Sequence, residues 1–112
     1  MDRRGDIAHA LIYDGATMSD ERLEALRREI DAIDDRLLEL LADRVRKVLA
    51  VGDLKREQRI AVYDPERERQ VIDRLIRVAP EPLRAPMVRR VFERVIDESR
   101  RAEQHHVRGE DE

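Results

Sequence analysis

No cysteine and no tryptophan occur in this chain of 112 residues, and its aromatic side chains are two tyrosines and one phenylalanine. The first absence excludes disulfides and thiolate metal sites. The shortage of aromatics argues against a β-sandwich or barrel, whose strands draw heavily on aromatic and β-branched residues. Long apolar runs are missing too, since no segment approaches the roughly 18 residues that span a bilayer. The stretch Ile7-Ala8-His9-Ala10-Leu11-Ile12-Tyr13 follows Arg3-Arg4, but His9 interrupts it and Asp14 closes it without a small-residue cleavage site, unlike a signal peptide. A cytoplasmic protein is expected. Three histidines, two of them (His105 and His106) in a polar tail, do not make a ligand set, so neither metal nor cofactor is expected. An excess of one charge is also lacking: 23 basic and 26 acidic residues give a net charge of −3. Without a broad basic face the chain has no footprint for nucleic acid or an anionic membrane, and any cationic site must be local.

What the chain does have is charge interleaved with aliphatics at helical spacing. Charged residues make up 44% of it, as in long solvent-facing helices, and the fold class expected is all-α. Leu23, Leu26, Ile30, Ile33, Leu37 and Leu40 recur at alternating steps of three and four, one face of a first helix expected from about Asp20 to about Arg56. Ser19 is a candidate cap. Residues 1–18 then form a weakly ordered N-terminal extension whose presence depends on the choice of start codon. At 1.5 Å per residue the first helix is roughly 50 Å long, more than a compact domain of this size can cover. Asp64-Pro65-Glu66 marks a second helix start, with Asp64 as cap, Pro65 at the first position and Glu66 favourable to the dipole; Val71, Ile72, Leu75 and Ile76 form its stripe. Pro80, Pro82 and Pro86 break the chain before a third helix from about Ala85, with Val88, Val91, Phe92, Val95 and Ile96 inward. Fraying is expected beyond about Gln104, leaving 19–104 as the helical domain and 105–112 as a polar tail. One long helix and two shorter ones do not close a four-helix layer, so a symmetric pairing of two chains is expected over a monomeric hairpin or plain coiled coil.

Arg44 occupies the next core position after Leu40, and the stripe resumes at Val48 and Val51. A guanidinium on a packed face is costly unless an anion meets it. Lys55 lies eleven residues on, about 20° away in phase and roughly 16 Å along the axis, so both cations share a face. Ser99 and Glu103 extend the stripe of Val88, Phe92 and Val95 at helical steps, and Arg67 and Glu68 stand in the first turn of the second helix. Arg27, flanked by Leu26 and Ile30, is about 100° in phase from Arg44 and could serve a neighbouring chain. Each has a plain structural reading as well. Arg27 and Arg67 could be ion-paired surface residues, Ser99 could bond back to its own helix, and Lys55 could complement the dipole. Asp64 is satisfied as a cap, Glu103 could pair with Arg100 or Arg101, and Glu68 with Arg67 or Arg69. Arg44 alone resists such a reading. Together these residues describe a polar pocket with several cations, suited to a small dicarboxylate through charge-assisted hydrogen bonds. No nucleophile with an adjacent base and no glycine-rich phosphate loop is present, so an enzyme built on them works by positioning and electrostatics.

Five stretches carry a resemblance: Leu26-Arg27-Arg28-Glu29-Ile30-Asp31-Ala32-Ile33-Asp34, Leu40-Leu41-Ala42-Asp43-Arg44, Gly52-Asp53-Leu54-Lys55, Asp64-Pro65-Glu66-Arg67-Glu68-Arg69 and Phe92-Glu93-Arg94-Val95-Ile96-Asp97-Glu98-Ser99. In their order and spacing, from about Leu23 to Gln104, the chain resembles the all-helical chorismate mutases. The resemblance implies an intertwined six-helix homodimer that converts chorismate to prephenate without a cofactor, in aromatic amino-acid biosynthesis. It further implies that Arg44 and Arg27 of the partner subunit each clamp a substrate carboxylate, and that Lys55 bonds a carboxylate and the ether oxygen. Glu68 would accept the ring hydroxyl, helped by the backbone of Asp64, with Arg67 and Ser99 at the carboxylate end. Glu103 departs from the pattern, standing where many relatives place a glutamine that donates to the ether oxygen. An ionised carboxylate cannot donate, so the expectation is a protonated Glu103, its pKa raised by desolvation. A one-residue shift bringing Gln104 inward would instead rotate the helix by about 100°. The same scaffold also suits a 4-amino-4-deoxychorismate mutase or an isochorismate-pyruvate lyase. A helical dimer that binds a protein partner is the non-enzymatic alternative.

Overall fold

In the computed structural model, which describes residues 7–109, three α-helices follow one another: α1 (Ile7–Gln58), α2 (Pro65–Val78) and α3 (Ala85–Val107). Among the described residues there is no strand, and no helix is long and apolar enough to cross a membrane. The ends of the expected extension and tail, 1–6 and 110–112, lie outside the described residues. Two boundaries differ from the sequence expectation. Helix α1 begins at Ile7, not near Asp20, because a capping residue such as Ser19 permits a start without forcing one, and no proline stands between. Helix α3 runs to Val107, past the expected fraying point at Gln104, and His106 Nε2 reaches Asp53 Oδ1 of α1 at 2.9 Å. Gly109, at φ +80°, follows the Arg108 cap and supplies the left-handed conformation that ends helices.

The chain divides into two compact units, residues 1–40 and 41–112. In the first, the aliphatic face of α1 is about half exposed: Leu26 is 56%, Ile30 54%, Ile33 53% and Leu40 59% accessible. Single exposed leucines are ordinary, but a continuous stripe is not. Arg27 in this unit pairs with Glu24 at 2.9 Å on the solvent side.

The second unit holds the small core, where Ile72 of α2 and Val88 and Ile96 of α3 are buried. Val71, Leu75, Ile76, Phe92 and Val95 are half-buried around them, whereas Val91, expected inward, is exposed. Helix α2 begins as its sequence dictates: the Asp64 carboxylate accepts from the Arg67 N–H at 3.1 Å, and Pro65 opens the first turn. The end of α1 is unusual. Ile60 N–H donates to the Lys55 carbonyl at 2.8 Å and Arg59 N–H to the Arg56 carbonyl at 3.2 Å, the paired bonds of a Schellman ending. The left-handed residue is Arg59, at φ +59°, where glycine is usual. This turn sends residues 60–64 back along α1 and so brings the Val62 carbonyl to the Lys55 ammonium.

Because a left-handed conformation costs an L-residue about 1 kcal/mol or more, and a β-branched one most of all, Arg59→Gly is expected to match or slightly exceed the parent in stability. Arg59→Val should fall about 1 kcal/mol below Arg59→Gly. Urea midpoints check this, and equal midpoints for the two variants would contradict it.

Candidate active site

A cavity of about 320 Å³ lies within the second unit, near the lower end of the range for small-molecule sites. Val48 and Val51 of α1, Val62 of the following loop, Val71 of α2 and Ile96 of α3 form its apolar wall. The polar groups are Arg44, Lys47 and Lys55 from α1, Asp64, Arg67 and Glu68 from the start of α2, and Ser99, Arg100 and Glu103 from α3. Seven of the eight residues singled out from the sequence therefore line one space. The eighth, Arg27, belongs to the other unit.

Arg44 is partly buried, and its Nη1 donates to the Ser99 hydroxyl at 2.9 Å. That hydroxyl in turn donates to the Val95 carbonyl at 2.8 Å. Ser99 thus makes the back-bond of a helical serine and also serves as acceptor for α1, so both readings of it hold at once. Burial, and after it the positive charge of Arg67, lower the Arg44 pKa from its usual value. Among the described residues Arg44 forms no salt bridge, and its partner is the neutral Ser99 hydroxyl. Such a site favours an incoming anion, because the guanidinium is already partly stripped of water while keeping unused donors.

Lys55 does not extend into solvent. Its Nζ donates to the Val62 carbonyl at 2.8 Å and lies 3.8 Å from Glu103 Oε2. Glu103 is 6% exposed, and its Oε2 is a buried oxygen without a hydrogen-bond partner. Its pKa is raised: burial is the main cause and the Glu68 charge adds to it, while Lys55 opposes. At 3.8 Å the ammonium neutralises only part of the cost of a buried carboxylate. Glu103 is the buried residue at this level and Gln104 only half-buried, so the helix is not rotated to bring Gln104 inward.

Three parts of the site escape a reading by helix alone. The first is Gly52. A Cβ there would stand 2.8 Å from Glu103 Cγ and 3.0 Å from Val107 Cγ2, so the missing side chain forms the notch in α1 into which Glu103 fits. A glycine inside an otherwise unbroken helix is the signal that marks such an approach. The second is Arg100. Glu68 pairs with neither Arg67 nor Arg69, as its position in α2 suggested, but with Arg100 Nε at 3.0 Å across the α2–α3 interface, and Glu103 pairs with Lys55, not with Arg100 or Arg101. Local helix spacing reports neighbours on one helix and is blind to those on the next. The third is Tyr63, whose ring centre lies 5.1 Å from the Arg100 guanidinium carbon. Asp64 and Arg67 are exposed at the cavity mouth, the former as a helix cap.

With this geometry in view, the relationships of the chain can be stated. Residues 26–104 match the family model described as chorismate mutase type II. A chorismate mutase from Methanocaldococcus jannaschii is 36% identical over 61 residues, 54% of this chain and 62% of that protein. A bifunctional chorismate mutase/prephenate dehydratase from Escherichia coli K12 is 38% identical over 82 residues, 72% of this chain and 21% of that protein. The chain therefore spans less than two thirds of the length of these relatives. Among solved structures, a chorismate mutase (form II) from Thermus thermophilus superposes with a TM-score of 0.72 at 32% identity, covering 74% of this chain and 94% of that one.

Gly52→Ala is expected to destabilise the fold by about 1–3 kcal/mol, the usual cost of overpacking. Adding Glu103→Ala should return part of that loss, since the closer of the two clashing atoms is then gone. Denaturation midpoints of the two single variants and the double variant measure the coupling, and simple additivity would show that the notch does not hold Glu103.

Proposed function

This chain belongs to the chorismate mutase type II family, and we propose that it catalyses the intramolecular rearrangement of chorismate to prephenate in aromatic amino-acid biosynthesis. One observation carries the reading: a single cavity lined by Arg44, Lys55, Arg67, Glu68, Ser99 and Glu103, with Arg44 unpaired by any carboxylate among the described residues. Chorismate is a dianion with one ring hydroxyl and one ether oxygen between its reacting halves. Arg44 offers a fork to one carboxylate, with Arg67 and Ser99 beside it. Lys55 donates to a carboxylate and to the ether oxygen, and Glu68 accepts the ring hydroxyl beside the capped turn at Asp64.

The reaction breaks one C–O bond and forms one C–C bond within the substrate, and no proton is transferred. As the C–O bond opens, negative charge grows on the ether oxygen. Donors already aimed at that oxygen stabilise the transition state more than the ground state. Lys55 is one such donor and protonated Glu103 the second. Holding the enolpyruvyl arm over the ring supplies the rest by orientation.

A homodimer is part of the proposal. The half-exposed stripe from Leu23 to Leu40 is covered when α1 pairs with its copy, and Arg27 of the partner subunit then closes the second carboxylate site. The Lys55, Arg67 and Glu68 set favours the mutase over an isochorismate-pyruvate lyase or a simple protein-binding dimer.

Two measurements bear on this. Because burial raises the Glu103 pKa, its donating form persists above the ordinary carboxylate range and is lost as pH rises through the raised value. Turnover of chorismate, followed by ultraviolet absorbance with the product identified by mass, should therefore decline with rising pH. Glu103→Gln should flatten that profile; a flat wild-type profile from mildly acid to alkaline pH contradicts the protonated form.

Arg44→Ala and Arg27→Ala should each lower kcat/KM by roughly 100-fold or more, the scale for a lost electrostatic contact in a closed site. Unfolding and refolding the two variants together should restore activity, because each mixed dimer contains one intact site. No recovery would remove Arg27 from the partner's site, and no turnover by the wild type would overturn the enzyme reading.

A further inference from the structure

We infer that Arg100 is a specificity-determining residue, which neutralises the Glu68 carboxylate and so fits that subsite to a neutral hydroxyl donor in preference to an ammonium group. The inference rests on the proposed function, since it concerns the group that Glu68 receives. Glu68 and Arg100 line the same cavity from different helices, and Arg100 Nε holds Glu68 Oε2 at 3.0 Å. Both side chains are about three-quarters buried, at 26% and 29% exposure, so their contact is screened far less than the surface pairs elsewhere on α3.

Arg100 is not free to swing toward a substrate carboxylate. Its Nη2 lies 3.2 Å from Asp97 Oδ1, and its guanidinium sits over the Tyr63 ring at 5.1 Å. Two contacts besides Glu68 hold the planar fork in place, which lysine cannot reproduce. The hydrogen bond that Arg100 donates to Glu68 is the main reason that the Arg100 pKa is raised.

The chemical consequence follows from counting charge at the subsite. A bare carboxylate attracts an ammonium by full Coulombic pairing, whereas a carboxylate already paired with a guanidinium presents an acceptor oxygen and little net charge. A hydroxyl needs only the acceptor. An ammonium would enter a cavity that already holds the cations Arg44 and Lys55, and the carboxylate it would meet at this subsite, Glu68, is already paired. Arg100 therefore disfavours the 4-amino analogue of chorismate by withholding its counter-charge and leaves hydroxyl recognition intact.

The test compares wild type, Arg100→Gln and Arg100→Lys for kcat and KM on chorismate and on 4-amino-4-deoxychorismate, with thermal denaturation of each variant. In Arg100→Gln the preference for chorismate over the amino compound should fall roughly tenfold, as expected for one charge-assisted contact, mainly through a lower KM for the amino compound. Arg100→Lys should recover part of the preference, because it restores charge without the fork. A merely structural staple would lower the melting temperature of both variants while the substrate ratio stayed unchanged, and that result overturns the inference. Wild-type turnover of chorismate with an unchanged ratio in Arg100→Gln rejects Arg100 alone. No wild-type turnover of either compound rejects the functional reading and the inference with it.

Discussion

A guanidinium withdrawn from water needs acceptors, and Arg44 meets a single hydroxyl. Ser99 is fixed by its own bond to the Val95 carbonyl, so its acceptor side is turned toward α1 and the Arg44 fork is oriented before any ligand arrives. The remaining donors belong to a group that the protein has partly dehydrated and not neutralised. That imbalance costs stability, and an anion bound there, as proposed, would offset it.

The second half of the cavity depends on how closely α3 approaches α1. Gly52 removes the one side chain that would hold Glu103 away, and the Schellman turn at Arg59 returns the chain so that Val62 fixes the Lys55 ammonium. Lys55 is thereby held at 3.8 Å from Glu103 Oε2, beyond hydrogen-bonding distance. A closer approach would tighten this ion pair and favour ionised Glu103. The observed spacing leaves burial as the dominant influence on Glu103.

Much of this was legible in the chain because helices convert spacing into direction. Arg44, Lys55, Ser99 and Glu103 could be assigned to one interior from their phase alone, and Asp64-Pro65 announced the start of α2 by its chemistry. What the phase could not give is which helix stands opposite. The Glu68–Arg100 pair joins residues 32 apart in sequence, and no periodicity within α2 or α3 encodes it. Gly52 was visible as a weak helix former, but its purpose depends on a side chain of α3 that only packing brings near. The start of α1 went astray for the opposite reason: Ser19 is a competent cap, yet local competence does not end a helix that nothing upstream interrupts.

These contacts also bear on the charge of the ligand that the site suits. Glu68 is paired with Arg100, and the Asp64 carboxylate is engaged by the first turn of α2. With Glu103 protonated, as proposed, the cavity cations Arg44, Lys47, Lys55 and Arg67 face, among the described lining residues, only the Asp64 carboxylate beyond the Glu68–Arg100 pair. A monoanion would leave most of that field unopposed, whereas a dianion would offset more of it. The compact dianion proposed above also suits a space of about 320 Å³. The pocket's size and its excess of cations are thus two separate physical supports for the proposed dianionic ligand.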